Sequence, residues 1–517
     1  MRRLLKAAIK IDGKVYTGRH HTDAIAKAVA EGKDTSKIDR ERDGLFLVQD
    51  GFKTSLITRN QAEKEFKIRH SEDIDQQVTK GRKFCIVTKD FSSLGFALDY
   101  RNKNDEIIFA TNPDIKKLKQ NKDEEKYDKI GENLITRFDL SDVMNRRNKM
   151  RDFYFVFDGN HSVEENEILR KESFKVCLGS ELTYKMENDR AFGIELSEQL
   201  GIESPLWEDF KEGKQGIELL KQYPDDAFFM KPNAQDESHL TTPPVGKDSK
   251  KANEYLQKWL ETLVFKEGFV LQKTVKGTEV NLEYFCVNGE IKSAQINLEV
   301  KRISEASLID AYEKGSLCGC AYDVCKNIDI NSPIVEMTIG KLKTFIKEKK
   351  HTGFADMNFI IGENEMWFIE WCWRTGYNAH PNYFMNVSNK DYLNTIADMH
   401  DGIYELDAKR GWGASVTLYT DHPAEGVPII IQDSVKNKVY LFDGYKQDDT
   451  LFETGISNEI AIVGGYGDTI QKAMSDAYDN ISKVAVAKSD YRSDGLKEDF
   501  NSSPIQRYRA LEQFKYL

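Results

Sequence analysis

No stretch of this chain is apolar for long enough to cross a membrane; the roughly 18 residues that such a span needs are nowhere approached. The opening MRRLLKAAIKIDGK carries two arginines but lacks the apolar centre of a secretory signal. From these absences a cytoplasmic protein without a membrane partner is expected. Cysteine is sparse too: seven residues in 517, an odd number far below the density of a disulfide scaffold, so reduced thiols are expected. Cys318, Cys320 and Cys325 cluster, but they lack paired C-x-x-C spacing and a fourth ligand, which favours structural thiols over zinc. Net positive charge is absent. At −11 the chain as a whole has no bulk attraction for nucleic acid or anionic lipid, and only a local basic patch stays open. There is no internal repeat, no low-complexity linker, and no Ser-His-Asp or Cys-His set at a spacing that suggests nucleophilic catalysis.

What is present suits packed domains. Hydrophobic residues make up 40% and aromatics 11%, and the length calls for three or four cores. The first stretch, to about Ile74, reads as a small α+β module. Strand KVYTG leaves a turn at Asp12-Gly13, a helix runs from Thr22 to Gly32, and strands in DGLFLVQDGFKTSLIT precede a helix capped near Thr58 or Asn60. His20 and His21 fall in this module, where a polar turn entering the helix outweighs a metal or catalytic reading. From Gly81 the apolar strands KFCIVT, DEIIFAT, DFYFVFDG and FKVCLGS alternate with helical segments, the pattern of a parallel α/β sheet. The charged run NPDIKKLKQNKDEEKYDK is expected as a solvated helix or surface loop. SELTYKMENDRAFGIELSEQLGI reads as one helix, and another lies between Asn331 and Lys350. Between them DAFFMKP, GFVLQKTV and the hairpin NLEYFCVNGEIKSAQINLEV, with Asn288-Gly289 at its turn, read as antiparallel strands. The part after Gly411 reads as a separate α+β domain.

One window carries chemistry: GFADMNFIIGENEMWFIEWCWRTG. Asp356 and Glu370 lie on two strands joined near Glu363-Asn364, at equal distances from the turn, so they are expected side by side on one cleft. Two close carboxylates repel unless a cation separates them, and magnesium accepts such a pair with phosphates and water as its other ligands. Arg374, four residues past Glu370, projects by alternation to the same face and offers a fork for phosphate or carboxylate. A surface salt-bridge network is the competing reading of the same pair.

The order of segments from Gly81 to Leu496 resembles the glycinamide ribonucleotide synthetase (phosphoribosylamine–glycine ligase) family of the ATP-grasp superfamily. LTYKMENDRAFGIELSEQLGIESP is similar to the family helix with a basic residue, here Arg190, and AFFMKP puts Lys231 where a lysine reaches the nucleotide phosphates. VLQKTVKGTEVNLEYF resembles the hinge strand, with Gln272 and Lys273 beside adenine and Glu279 just beyond. EVKRISEASLIDAYEKGSLCGCAYDV supplies Lys301 and Arg302, EWCWRTG is similar to the metal motif, and the closing IVGGYGDTIQKAMSDAYDNISKVA and Tyr-Arg-x-Asp also match. The resemblance implies an α/β and α+β multidomain fold: an extra N-terminal α+β module over 1–76, a parallel pre-ATP-grasp domain over 77–180, a two-lobed ATP-grasp domain over 181–408, a C-terminal α+β domain over 409–500, and a tail over 501–517. It implies ATP and Mg²⁺ as cofactors. Asp356, Asn358 and Glu370 would hold the metal, Arg190, Lys231, Gln272, Lys273 and Glu279 the nucleotide, and Lys301, Arg302 and Arg374 the charge of the transferring group.

Three departures alter that expectation. Cys372 stands where the family has a metal-binding asparagine, and a thiol is a poor magnesium ligand. Only Gly246 marks the polar segment NAQDESHLTTPPVGKD, where the family has a glycine-rich phosphate loop. GYNAHPNYF replaces Gly-Asp-Pro-Glu after the arginine, which implies a changed acceptor. The resemblance thus implies a carboxylate–amine ligase that works through an acyl phosphate, joining glycine or another amino acid to an amine on a sugar-phosphate or nucleotide-like acceptor. Two rivals stand beside it. A phage-type ligase would modify a nucleotide or nucleic acid base with an amino acid, and a degenerate ATP-binding scaffold would serve assembly or regulation. The oligomeric state is not legible in the sequence.

Overall fold

The computed structural model describes the backbone strands at 3–11, 14–18, 45–50 and 53–58, and residues 81–233, 240–244, 248–302, 317–420, 422–497 and 503–517. The chain divides into two compact units, Met1–Arg82 with Lys103–Glu106, and Lys83–Asn102 with Ile107–Leu517. In the first, strands Arg3–Ile11, Lys14–Gly18, Leu45–Asp50 and Lys53–Thr58 form an antiparallel sheet in the order second, first, third, fourth. The expected helices of this module, and His20 and His21, lie outside the described residues.

The second unit begins with a five-stranded sheet. Its order is Thr136–Asp139, Glu106–Thr111, Lys83–Thr88, Phe153–Phe157, Lys175–Cys177, with parallel pairing between Lys83–Thr88 and Phe153–Phe157. Phe84 to Val87 are fully buried, as befits a strand covered on both faces. The chain leaves this first strand to one side and later returns to the other. The carboxyl ends at Thr88 and Phe157 therefore flank a topological switch point, the place where such sheets open a crevice. The charged run of the sequence forms two short helices, Ile115–Asn121 and Glu124–Lys129.

A small antiparallel sheet follows, with Phe269–Lys273 between Trp207–Phe210 and Phe228–Pro232. Helices Gly213–Gln222 and Ser249–Leu260 cover it, burying Leu220 and Leu256 against Phe269 and Leu271. A large sheet then runs Met366–Trp371, Gly353–Ile361, Thr278–Val287, Glu290–Asn297, Leu317–Ile328, Trp412–Thr420, Glu459–Gly467, Val439–Leu441. The hairpin turn at Asn288-Gly289 has φ of 51° and 83°, both in the left-handed region that an Asn-Gly turn of type I′ requires. Trp412–Thr420 pairs with Leu317–Ile328 in register from Tyr322↔Val416 to Cys325↔Gly413, so the sheet runs straight across the boundary drawn at 408/409.

Two expected helices are broken. Asp189 ends Glu181–Asn188 and caps Arg190–Gln199, its side chain accepting from the Phe192 N–H. A short acidic side chain that bonds the backbone locally competes with helix continuation. The segment from 331 to 350 likewise divides into Pro333–Met337, a 3₁₀ turn Ile339–Leu342, and Lys343–Glu348. Among the described residues no helix is long and apolar enough to cross a membrane. Cys85, Cys177, Cys286, Cys320 and Cys325 are buried and outside any disulfide; the side chain of Cys318 lies outside the described residues.

Candidate active site

The large sheet has a two-residue rhythm that separates packing from chemistry. Val280, Leu282 and Tyr284, Ala294, Ile296 and Leu298, and Ala355, Met357 and Phe359 all enter the main core. The residues between them, Glu279, Asn281 and Glu283, then Gln295, Asn297 and Lys301, then Asp356 and Asn358, face the other way. Register aligns them across strands: Asn281 lies beside Asn358 and Asn297, and Glu283 beside Asp356 and Gln295.

At the edge of this polar face the next strand brings Glu370. The side-by-side pairing of Asp356 with Glu370 needs correction, because a bulge between Asn358 and Phe359 shifts the register. Glu370 lies opposite Asn358, and Asp356 sits one pleat further along, its carbonyl accepting the Cys372 N–H at 3.0 Å. The two carboxylates are diagonal neighbours on one face. Asp356 is buried; its Oδ2 accepts from Asn281 Nδ2 at 3.3 Å, while Asp356 Oδ1 and Asn281 Oδ1 have no hydrogen-bond partner. Orphaned oxygens beside the more open Glu370 are the donor chemistry that magnesium prefers. Cys372 is a different matter. Burial pushes its thiol well above the ordinary range, and Asn358 Nδ2 points to its sulfur at 3.6 Å.

Three cations converge on this edge. Arg190, at the start of its helix, bridges the two sheets, reaching the Pro232 carbonyl at 3.2 Å and Glu370 Oε2 at 3.3 Å. Lys231, on Phe228–Pro232, donates to Gln272 Oε1 at 2.8 Å. Burial lowers Lys231 to about 8; Glu370 opposes that shift, and Arg190 and Lys301 reinforce it. Lys301 pairs with Glu279 at 2.9 Å and lies 3.9 Å from Glu299; burial disfavours its charge, but Glu279, Glu299 and Glu370 hold its pKa well above normal. Burial alone would raise Glu370, yet Lys231, Lys301 and Arg190 bring it down to about 2. Asp356 behaves in the opposite way: burial and then Glu299 raise it well above the carboxylate range, with Arg374 opposing. Arg190, Lys231 and Glu370 line a crevice of about 20 Å³.

Not every expected residue joins them. Lys273 is tied outward to Asp226 at 2.8 Å, whereas its neighbour Gln272 is buried beside Lys231 with its Nε2 unpartnered. Arg302 ends the strand Val300–Arg302, and its side chain lies outside the described residues. Arg374 shares the face but bonds Glu187 Oε1 at 2.7 Å and the Thr375 carbonyl at 3.1 Å, and its guanidinium lies 5.1 Å from the Tyr377 ring. Glu187 also accepts from Asn160 Nδ2 at 2.5 Å, which links Arg374 to the loop after Phe153–Phe157. At the switch point itself, Asp158 is buried and takes Ser92 Oγ at 3.2 Å and His161 Nε2 at 3.1 Å.

No protein-family model matches the chain, and no curated protein sequence does. Solved structures do. A phosphoribosylamine–glycine ligase from Thermotoga maritima aligns over 79% of this chain and 99% of its own, with TM-score 0.59 and 14% identity. A biotin carboxylase from Campylobacter jejuni, solved with β,γ-ATP, aligns over 83% and 100%, with TM-score 0.57 and 10% identity. The chain has the ATP-grasp fold. The biotin carboxylase domain of Hydrogenobacter thermophilus 2-oxoglutarate carboxylase, in complex with MgADP, ADP and bicarbonate, is similar at TM-score 0.57 and 11% identity over 84% of this chain and 99% of that one.

Within the ATP-grasp fold the residues that the sequence reading passed over are Glu187, Glu283, Gln295 and Glu299. Three of them were legible. In TEVNLEYF and SAQINLEVKR every second residue is polar in an otherwise apolar strand, which marks a lined face rather than scattered charge. Glu187 had no such signal, because its partner is 187 residues away in sequence.

Proposed function

We infer that the chain is an ADP-forming carboxylate–amine ligase that uses ATP and Mg²⁺. The observation that carries this reading is the convergence of Arg190, Lys231 and Lys301 on Glu370, one strand from Asp356 and Asn358, in a fold whose solved examples include ligands of the ATP type. In the first step a carboxylate oxygen of the donor attacks the γ-phosphorus, the bond to the bridging oxygen breaks, and ADP leaves. In the second, a neutral amine attacks the acyl phosphate carbon; the C–N bond forms, inorganic phosphate departs with the C–O electron pair, and the amine's surplus proton goes with it. Phosphoryl transfer of this kind asks the protein for alignment and charge neutralisation rather than a nucleophile. Lys231 and Arg190 neutralise the phosphates from the side of the small sheet. Lys301, pinned by Glu279, faces the transferring group from the large sheet, and Arg374, held by Glu187, presents its fork to the donor carboxylate or acyl phosphate. Asp356, Glu370 and Asn358 would hold Mg²⁺, which supplies charge neutralisation of the β- and γ-oxygens.

The test is ADP release by the full chain with Mg-ATP, a mixture of the common amino acids as carboxylate donors and a panel of amines, with mass detection of the amide. One amide per ADP, lost in Glu370→Ala, is the expected result. Absence of ADP with every combination, with Glu370→Ala binding nucleotide as the parent does, overturns the reading.

A further inference from the structure

The helix Pro504–Gln513 is built into the core of the second unit. Ile505, Leu511 and Tyr516 enter the main core, and the Tyr508 ring meets that of Trp412 edge-on, 4.7 Å between centroids. The Tyr516 carbonyl accepts the Ile334 N–H at 3.0 Å. Apolar contacts of this kind are enough to dock a helix. Arg509 and Glu512 stay exposed, but Arg507 is buried, at 5% exposure. Burying a guanidinium is costly unless it is paired, so this residue calls for a reason beyond docking. Its Nη1 donates to the backbone carbonyl of Glu299 at 2.7 Å.

Glu299 stands just before Lys301, where the strand is least regular. Val300 pairs with Tyr322 but Arg302 with Leu317, so the ladder is interrupted at Lys301 itself and does not fix it. The ties around the lysine are to side chains instead, Glu279 at 2.9 Å and Glu299 at 3.9 Å. Arg507 acts on both. It holds the Glu299 peptide beside the interruption. Burial would raise Glu279, and Lys301 followed by Arg507 brings it below the usual carboxylate range. We propose that Arg507 is a positioning residue for the phosphate site, anchoring the peptide and the carboxylate that aim the Lys301 ammonium at the γ-phosphoryl group. This rests on the ligase reading, in which Lys301 faces the transferring group. The helix Pro504–Gln513 is then part of the frame of the site.

The experiment measures, by calorimetric titration of the full chain with Mg²⁺, the Kd for ADP and for a β,γ-imido analogue of ATP. The ratio of the two reports what the γ-phosphoryl group adds, and within one preparation it does not depend on how much protein has folded. Arg507→Met should lower the preference for the triphosphate about fivefold and leave Kd for MgADP in place. Lys301→Met should lower it as well, and the double variant should match Lys301→Met alone, because Arg507 acts through the lysine. Arg507→Lys keeps the charge but loses the fork and should lower the ratio about twofold, which carries the test if the methionine variant does not fold. An unchanged ratio in the Arg507 variants, an unchanged ratio in Lys301→Met, or losses that add in the double variant leave Arg507 as an anchor of its helix only and overturn the inference. If instead no donor and amine give ADP release while the ratios behave as expected, the ligase reading falls and the place of Arg507 stands.

Discussion

Lys231 offers a sharp test of the cation cluster, because its pKa is set by its place in the fold. A lysine normally stays charged to above pH 10; burial lowers this one to about 8, and only part of the shift is offset by Glu370. Phosphates bind the ammonium form. In the nucleotide complex the added negative charge returns the pKa upward, so binding takes up a proton wherever the free protein has lost it. The sign is therefore fixed: affinity is full below pH 8 and falls as pH rises through it. With a free-state pKa of about 8, the apparent Kd for MgADP should rise about tenfold between pH 7 and pH 9, or about 1.4 kcal/mol. Calorimetric titration at fixed ionic strength and saturating Mg²⁺ measures it.

Two variants separate Lys231 from other titrating groups. Lys231→Arg keeps its charge at every pH in the window, so its profile should be flat from pH 7 to 9. Glu370→Gln removes the anion that supports the ammonium, so the loss of affinity should begin at lower pH than in the parent. A parent profile that is flat between pH 7 and 9, or a Lys231→Arg profile that falls like the parent's, refutes the assignment of Lys231 to the phosphates.

Three further outcomes follow from the same geometry. Cys372→Asn adds an amide oxygen beside Asp356 and Glu370 and should lower the Mg²⁺ concentration for half-maximal ADP release by about threefold or more; an unchanged magnesium curve would place the metal elsewhere. Glu187→Gln takes away the carboxylate that orients Arg374 and should lower kcat about tenfold with KM for ATP held, whereas a purely structural role would show only as less folded protein. Gly193 approaches Trp371 so closely that a Cβ would stand 2.4 Å from the Met186 carbonyl and 3.0 Å from Trp371 Cδ1, and its own carbonyl accepts the Trp371 N–H at 2.8 Å. Gly193→Ala should therefore cost about 1–3 kcal/mol, read as a lower urea midpoint, despite alanine's better helix propensity.

How far the sequence reached depended on the range of the interaction. The ATP-grasp fold was legible because its segments follow in order and each has a local pattern, such as the Asn288-Gly289 turn or the apolar run KFCIVT. The polar face of the large sheet was legible in principle from alternation in TEVNLEYF, though Glu283 passes there for an ordinary surface charge until Asp356 is paired with it. The exact partner of Glu370 was not, since a single bulged residue between strands changes the register without altering composition. Nor was the tie between Arg374 and Glu187, nor the joining of Trp412–Thr420 to Leu317–Ile328, because both depend on where distant segments dock.

The polar face has a consequence for stability that sets it apart from the core behind it. Gln295 is fully buried, and neither its Oε1 nor its Nε2 has a hydrogen-bond partner; Glu283 and Asn297 beside it are in the same condition. A buried amide left unsatisfied costs about 1–3 kcal/mol relative to one that is paired, so the fold carries this row of side chains at a net loss. Such a loss persists where the groups serve a site rather than the packing. Gln295→Met keeps the length of the side chain and removes both polar atoms. The urea midpoint should rise, by about 1–2 kcal/mol in free energy, while amino-acid-dependent ADP release falls. If Gln295→Met instead destabilises the protein, Gln295 is held by interactions that its surroundings do not suggest, and the division of the large sheet into a packing face and a chemical face is wrong at its centre.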